Sequence, residues 1–310
     1  MQKFAIAVHG GAGTIFGSLD TAALEADYKM ALQDAILSAE SILRKDGSAL
    51  EAVEHAVRTL EDNPLFNAGK GSVFTHEGRH EMDASIMDGH TLKAGAVSGV
   101  TNIRNPIILA RSIMENSEHV FLSGSGAADF ARQLNLEFMP DAYFLVPMRY
   151  EQFLKAKASD SIILDHARQS TKKFGTVGAV ARDRHGHLAA ATSTGGMTNK
   201  KHGRIGDTPL IGAGTYANNA TCAVSCTGHG EYFIRAVVAY DISCLIEYKG
   251  LSLKEACEKV VQDKLIRLGG QGGLIAVDAE GNLEMCFNTE GMYRASKRED
   301  ERIYIGIFKD

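Results

Sequence analysis

The chain has 310 residues, 45% of them hydrophobic and 23% charged, with a formal net charge of −5 and a pI near 6.1. Those values describe a globular protein and argue against nucleic acid as a partner, since no Lys/Arg-rich tract offsets the acidic balance. No apolar run approaches the roughly 20 residues that cross a bilayer, so no membrane partner is expected.

Residues 3–9 read as a buried strand that stops at His9-Gly10-Gly11-Ala12-Gly13. The apolar run ends too soon for a signal peptide, so no targeting segment is expected. Apolar residues at helical spacing over 20–44 predict a first helix, closed by Asp46-Gly47. Ser48-Ala49-Leu50-Glu51 is a capping box that opens a second helix to about residue 62, where Asn63-Pro64 stops it. Strands are expected at 72–75, 81–87 and 92–100, a helix at 106–116, a strand at 120–123 and a helix at 127–134. Periodicity weakens from 135 to 174, and the polar run 167–173 suggests a mobile linker over about 150–175. Order returns at Thr176 with a hairpin formed by 177–182 and 187–194. Strands at 210–216 and 220–226 follow, then a long helix over 231–247. A second capping box, Ser252-Leu253-Lys254-Glu255, opens a helix to about residue 267, and strands at 273–278, 283–288 and 302–308 close the chain. This order does not alternate as a doubly wound fold would. It suits an α+β fold, a four-layer αββα sandwich with two mostly antiparallel sheets inside and helix pairs outside. The near-continuous apolar runs 5–8, 177–180 and 274–277 are expected in the inner layers, buried on both faces.

The five cysteines (Cys222, Cys226, Cys244, Cys257, Cys286) match neither a disulfide framework nor a zinc ribbon, so a reducing cytoplasm is expected. No His-Glu-x-x-His occurs among the eleven histidines, so a catalytic zinc site is not expected. His9-Gly10-Gly11 is like a lipase oxyanion loop, but no Gly-x-Ser-x-Gly elbow accompanies it, and tight backbone passage is the expected role. The run 269–273 leads into a strand without Gly-Lys-Ser/Thr and reads as a helix-to-strand turn. Glu81, Asp83 and Asp88 have no acid–base pairing and are expected to be structural.

Gly175-Thr176-Val177-Gly178-Ala179 sets a threonine at the start of an apolar strand, behind a glycine and a polar stretch. A cut between Gly175 and Thr176 would free an α-amine of pKa about 7.7–8.0, able to take the proton of the hydroxyl on the same residue. By itself the pentapeptide is more often an ordinary turn. Three later turns add to it. Thr192-Ser193-Thr194-Gly195-Gly196 places hydroxyls at the end of the neighbouring strand. Arg204 and Asp207 offer a cation and an anion that can clamp the α-carboxylate and α-ammonium of an amino acid. Cys226-Thr227-Gly228-His229-Gly230-Glu231 supplies hydroxyl and amide donors for a developing oxyanion. Nucleophile, clamp and oxyanion donors together point to a hydrolase.

Residues 175–180, 191–200, 203–209 and 227–231, with 9–13, 66–69 and 82–89, resemble the plant-type asparaginases, isoaspartyl peptidases of the N-terminal-nucleophile hydrolase class. Residues 217–220 and 288–295 are most similar to the bacterial isoaspartyl peptidases of that family. The likeness covers nearly the whole chain and is weakest at about 135–174 and 295–303. It implies one αββα domain over 1–310, cut by itself into an α subunit (1–175) and a β subunit (176–310), with two such pairs forming a dimer of heterodimers. It implies Thr176 as nucleophile with its own amine as base, Thr194 ordering that nucleophile, and Asn67 contacting its hydroxyl. Arg204 and Asp207, assisted by the Gly230 backbone, would bind the substrate's α-groups, and the Thr227 hydroxyl with the Gly228 amide would form the oxyanion hole. Catalysis would need no cofactor. A structural sodium ion would sit on the backbone carbonyls of Leu60, Glu61, Asn63, Phe66, Ala68 and Lys70.

His229 stands where the family varies between threonine and histidine, and is expected to shift the balance between free asparagine and isoaspartyl dipeptides. The charged run 296–301 is expected only to solvate the surface. The expected substrates are small molecules, β-linked L-aspartyl dipeptides and L-asparagine, hydrolysed through an acyl-enzyme on Thr176. One rival is a glycosylasparaginase-type amidase, which usually carries Asp where Gly175 stands. The other is a glycine-rich ligand-binding protein that never matures.

Overall fold

Local signals explain where many elements begin. The structure, a computed structural model, describes residues 3–13, 22–158 and 175–309. Strand β1 (Ala5–Gly13) precedes helices α1 (Ala22–Leu43) and α2 (Ala49–Glu61). Ser48 Oγ accepts from Glu51 N at 3.2 Å while Glu51 Oε2 accepts from Ser48 N at 3.1 Å, the reciprocal box that starts α2. A 3-10 turn at Gly69–Gly71 leads to β2 (Met82–Asp88) and β3 (Ala94–Val100). Then come α3 (Pro106–Asn116), β4 (Phe121–Ser123), α4 (Gly124–Gln133), α5 (Asp141–Phe144) and α6 (Pro147–Ala158). The second half opens with the hairpin β5 (Val177–Arg182) and β6 (Leu188–Thr194), then β7 (Thr215–Ala217) and β8 (Cys222–Gly228). Helices α7 (Gly230–Ala236) and α8 (Val238–Lys249) follow. Next is a helical run made of α9 (Leu253–Glu258), a π-helical turn (Lys259–Lys264) and α10 (Leu265–Leu268). Strands β9 (Gly272–Asp278), β10 (Leu283–Phe287), β11 (Gly291–Arg298) and β12 (Tyr304–Phe308) complete the described chain.

Helices and sheets are mixed in an α+β arrangement. The larger sheet has the order β12-β11-β1-β5-β6-β2-β3-β4 and the smaller β10-β9-β8-β7. Every ladder is antiparallel except β3 with β4. Alternation along β1 sorts the apolar residues by face. Ile6 and Val8 join a buried cluster with Leu32, Ile36, Val53 and Leu60 from α1 and α2. Ala5 and Ala7 join a second cluster with Val180 and Ala190 of the larger sheet and Ala223, Ile275 and Val277 of the smaller. The other face of the smaller sheet, through Val224, Cys226 and Ala276, packs on Phe233, Ile242, Cys257 and Val260. Residues 5–8 are apolar without interruption because both their faces are buried.

Five elements depart from the sequence reading. Residues 72–75 form no strand, and only Thr75 bridges to Lys200. The strand expected over 210–216 shrinks to Thr215–Ala217, because 207–214 close turns in which the N–H groups of Leu210 and Ala213 donate to Asp207 O and Leu210 O. The helix expected over 231–247 breaks at Val237, whose φ of 51° is left-handed. The break lets Ala239 N and Tyr240 N donate to Ala213 O and Gly212 O, docking α8 on the turns before β7. Residues 291–298 are a strand where none was expected. The charged Lys297 and Arg298 interrupt its apolar pattern, yet Ser296, Lys297 and Arg298 pair with Ala7, Ile6 and Ala5. The segment expected to be a linker from residue 150 starts as helix α6, whose buried Arg149, Phe153 and Ala156 share one face. The rest of it, 159–174, lies outside the described residues.

Candidate active site

Thr176 stands one residue before β5 and is 8% exposed. The β5–β6 ladder sets Val177 opposite Ser193. That register brings the Thr176 hydroxyl to the last residue of β6, where it donates to Thr194 Oγ1 at 3.1 Å. Thr194 Oγ1 also accepts from Gly196 N at 3.0 Å. Asn67 fastens the same loop from the opposite side. Its Nδ2 donates to Gly196 O at 2.7 Å, its Oδ1 accepts from Val73 N at 3.0 Å, and its carbonyl accepts from Gly195 N at 3.1 Å. Asn67 thus supports Thr194, and no Asn67–Thr176 hydrogen bond occurs among the described residues.

Arg204 and Asp207 lie on the loop between β6 and β7. Both reach Gly230 at the start of α7. A Cβ on Gly230 would come 2.8 Å from Asp207 Oδ1 and 2.9 Å from Arg204 Nη2, so only glycine lets guanidinium and carboxylate converge there. Asp207 is buried and its Oδ2 has no partner. Burial pushes its carboxyl up to about 7, against the lowering effects of its own backbone N–H and of the Arg204 charge. Thr227, next to last in β8, is fully buried, and its hydroxyl also lacks a partner. Gly228 ends β8. Buried polar atoms without partners are uncommon, and a carboxylate oxygen left so beside a guanidinium marks a place where a polar ligand would complete the bonding.

The guanidinium is already engaged on one edge. Arg204 Nε and Nη2 donate to Glu231 Oε1 and Oε2 at 2.9 and 3.0 Å, and His229 Nε2 lies 3.1 Å from Glu231 Oε2. Burial opposes ionisation of Glu231, but the hydrogen bonds from His229 and Arg204 outweigh it and hold the carboxyl well below its usual range. No described residue hydrogen-bonds to Arg204 Nη1, which leaves that edge open to a carboxylate. Sequence reasoning did not single out Glu231. The available signal was an acid entering a helix one residue after the glycine on which an Arg/Asp pair converges.

Of the other acids, Asp83 is buried on β2 opposite Thr194 and accepts from Gly99 N at 2.9 Å. Burial raises its pKa against the nearby Lys200 charge. Glu61 Oε1 accepts from Ser193 Oγ at 2.6 Å and Ile107 N at 3.1 Å, tying the end of α2 to the residue before Thr194. Burial lifts its carboxyl to about 8. In the 60–70 loop Asn63 O and Ala68 O accept from Phe66 N and Gly71 N and each keeps a second acceptor site, while Leu60 O accepts from both Asp62 N and Asn63 N. Among the described residues no group of three or more His, Cys, Asp or Glu could hold a metal, and all five cysteines are free thiols. His9 was expected only to pass backbone, yet its buried ring reaches the Thr176 carbonyl.

A threonine hydroxyl poised by a second threonine, together with paired groups suited to a zwitterion, is the equipment of a hydrolase. The chain belongs to the asparaginase family, whose model matches residues 2–307. It is 54% identical to the isoaspartyl peptidase of Salmonella typhimurium, with all of both chains covered. Identity is 53% to the isoaspartyl peptidase of Escherichia coli strain K12, covering all of this chain and 98% of that protein. The probable isoaspartyl peptidase/L-asparaginase 2 of Arabidopsis thaliana is 43% identical over the whole of both.

Proposed function

We propose that this chain cuts itself between Gly175 and Thr176 and then hydrolyses β-linked L-aspartyl dipeptides and L-asparagine. The observation that carries the reading is the convergence of Arg204 and Asp207 on Gly230, with Asp207 Oδ2 and Thr227 Oγ1 buried and unpartnered. A free L-amino acid end fits: its α-carboxylate on the open edge of Arg204, its α-ammonium on Asp207. With both α-groups held, the side-chain amide is what reaches Thr176, so a β-linkage is cut and an α-blocked or D-configured substrate fails.

The freed amine of Thr176 takes the proton from Oγ1 as Oγ1 bonds to the amide carbon. The oxyanion forms against the Thr227 hydroxyl and the Gly228 amide. Collapse expels ammonia or the second amino acid, which takes the proton, and leaves an ester on Thr176. Water, deprotonated by the same amine, cleaves that ester.

The same reading extends to architecture. The three buried clusters support an αββα sandwich of the N-terminal-nucleophile class, a single domain whose subunits are 1–175 and 176–310. Two such pairs would associate as a dimer, and the free thiols suit a reducing cytoplasm. The carbonyl-rich 60–70 loop suits sodium, a hard cation that takes oxygen ligands, held by Leu60, Glu61, Asn63, Phe66, Ala68 and Lys70. Its part would be to stiffen the loop that carries Asn67. Replacing sodium by choline should lower the thermal midpoint, and an unchanged midpoint refutes the ion.

A denaturing gel and an ammonia assay test the central proposal. The purified chain should give two bands and Thr176→Ala one, with ammonia released from L-asparagine and leucine from β-Asp-Leu only by the cut form. A single uncut band after prolonged incubation, or inactivity on both substrates, overturns it.

A further inference from the structure

Between the two sheets the packing is mostly alanine and other apolar side chains, yet one line of polar groups crosses it. It begins at the nucleophile. His9 Nδ1 on β1 lies 3.0 Å from Thr176 O, and His9 Nε2 lies 3.0 Å from Ser225 Oγ on β8. Ser225 Oγ is 2.7 Å from Thr192 Oγ1 on β6, which is 2.6 Å from Thr215 Oγ1 on β7. Thr215 Oγ1 is 2.7 Å from Ser85 Oγ on β2, and Ser85 Oγ is 2.6 Å from Thr208 O. His9, Ser225, Thr192, Thr215 and Ser85 are all fully buried. The line therefore joins the carbonyl of Thr176 to the residue that follows Asp207.

We propose that His9 is a positioning residue for the nucleophile, and that the hydroxyl line behind it sets the distance between Thr176 and the substrate clamp. The proposal rests on the reading of Thr176 as nucleophile.

A carbonyl only accepts, so the proton of the neutral ring is on Nδ1 and Nε2 is an acceptor. Ser225 donates to Nε2, in competition with a longer contact to Ala191 O at 3.2 Å. Thr192 then donates to Ser225, Thr215 to Thr192 and Ser85 to Thr215. Ser225, Thr192 and Ser85 each have one proton and two acceptors, Thr192 through a longer contact to Gly214 O at 3.4 Å. The two contacts are closest in length at Ser85, by the clamp. Burial outweighs the bond to Thr176 and lowers the ring's pKa to about 3, which keeps it neutral. Gly178 makes room for the device. A Cβ there would lie 2.0 Å from Ser225 Oγ and 2.5 Å from His9 Nε2, so only glycine lets this pair rest against β5, two residues after the nucleophile.

Self-cleavage raises the need for such a hold. In the uncut chain Thr176 is tethered through its nitrogen and its carbonyl. Once Gly175 is detached, only the carbonyl side remains. His9 then fixes the plane of that last tether while Thr194 fixes the hydroxyl, and two anchors define the orientation of a residue that one would leave free to rotate.

Amide side chains test which ring atom matters. Asn places its NH2 near the position of Nδ1, and Gln places its own near Nε2. His9→Gln should lower kcat on L-asparagine about 10- to 100-fold, the scale of one buried hydrogen bond left unmade, with KM within about twofold. His9→Asn should stay within about fivefold of the unchanged protein. Equal losses in the two variants, or a loss expressed in KM alone, overturn the proposal. Should His9→Gln not fold, Thr192→Val keeps the volume and breaks the line two links back. It should lower kcat several-fold at unchanged KM, and an unchanged kcat overturns the proposal. Nitrogen NMR of the His9 ring needs no substrate, so it separates failure here from failure of the proposed activity. A neutral ring protonated at Nδ1 from about pH 5 to 8 is expected, and an Nε2-protonated or titrating ring refutes the assignment.

Discussion

The two ends of the site are built on opposite terms. At the nucleophile end Thr176, Thr194 and Asn67 are matched donor to acceptor by neighbours in the chain's own ladders and loops. At the clamp end Asp207 Oδ2 and Thr227 Oγ1 are buried without partners, and Asp207 carries a raised pKa. The first end is organised before a ligand arrives, and the second is completed by the ligand. On the proposed reading, reactive geometry is stored in the fold, while selectivity comes from clamp groups that a ligand would satisfy.

Asp207→Asn should produce the largest effect if the contrast holds. Losing the charge partner of the ammonium should cut kcat/KM by about 100- to 1,000-fold, mostly through KM, while the thermal midpoint stays level or rises. A fall in midpoint would show that Asp207 already has a partner within the fold.

The pH dependence should come next and run in two directions. Asp207 has a folded pKa of about 7 against an ordinary 3.8. Its contribution to stability is therefore fully present below 3.8 and lost as pH rises through about 7. Binding needs the carboxylate, so kcat/KM should fall as pH drops below about 7 and approach tenfold per unit. A flat profile from pH 5 to 7 would remove Asp207 from the clamp.

Thr194→Val should lower kcat about tenfold with KM unchanged, because it removes one hydrogen bond at the matched end and touches nothing at the other. A change in KM would show that the two ends are not separable.

The smallest effect should come from Glu61→Gln. With a folded pKa of about 8 the carboxyl is neutral at pH 7, and glutamine copies that neutral form. Stability supplied by Glu61 is fully present below 4.5 and lost as pH rises through about 8. The variant should therefore match the parent's thermal midpoint at pH 4 and exceed it at pH 9. Equal midpoints at both would mean that burial does not raise the Glu61 pKa.

The same contrast separates what was legible in the sequence from what was not. Thr176, Arg204, Asp207 and Thr227 announce themselves locally, as a hydroxyl opening a strand after glycine, opposite charges on one turn, and a hydroxyl before a glycine turn. Both capping boxes are equally local, and both are present. His9, Glu231 and the supporting place of Asn67 depend on long-range approach: His9 and Thr176 are 167 residues apart, and Asn67 and Gly196 are 129 apart. The helix break at Val237 follows from docking of α8 on Gly212 and Ala213, which no periodicity over 231–247 encodes. Strand β11 escaped because its charged half suits a surface coil equally well until β1 is beside it.

The order of strands in the larger sheet has a consequence for a cut chain. Along β12-β11-β1-β5-β6-β2-β3-β4, the pairs β12-β11 and β5-β6 from after residue 176 are interleaved with β1 and with β2-β3-β4 from before it, and β1 lies between β11 and β5. Even the first turn of α2 donates across the divide, from Ala49 N to Asp183 Oδ2 at 3.1 Å. A single scission would leave two polypeptides threaded through one another's ladders in the larger sheet, which neither completes alone. The precursor would regain its structure in a first-order process at any dilution. The scissioned form would have to find its other half again, in a second-order process that slows with dilution. Its lifetime would then be set by the height of the unfolding barrier.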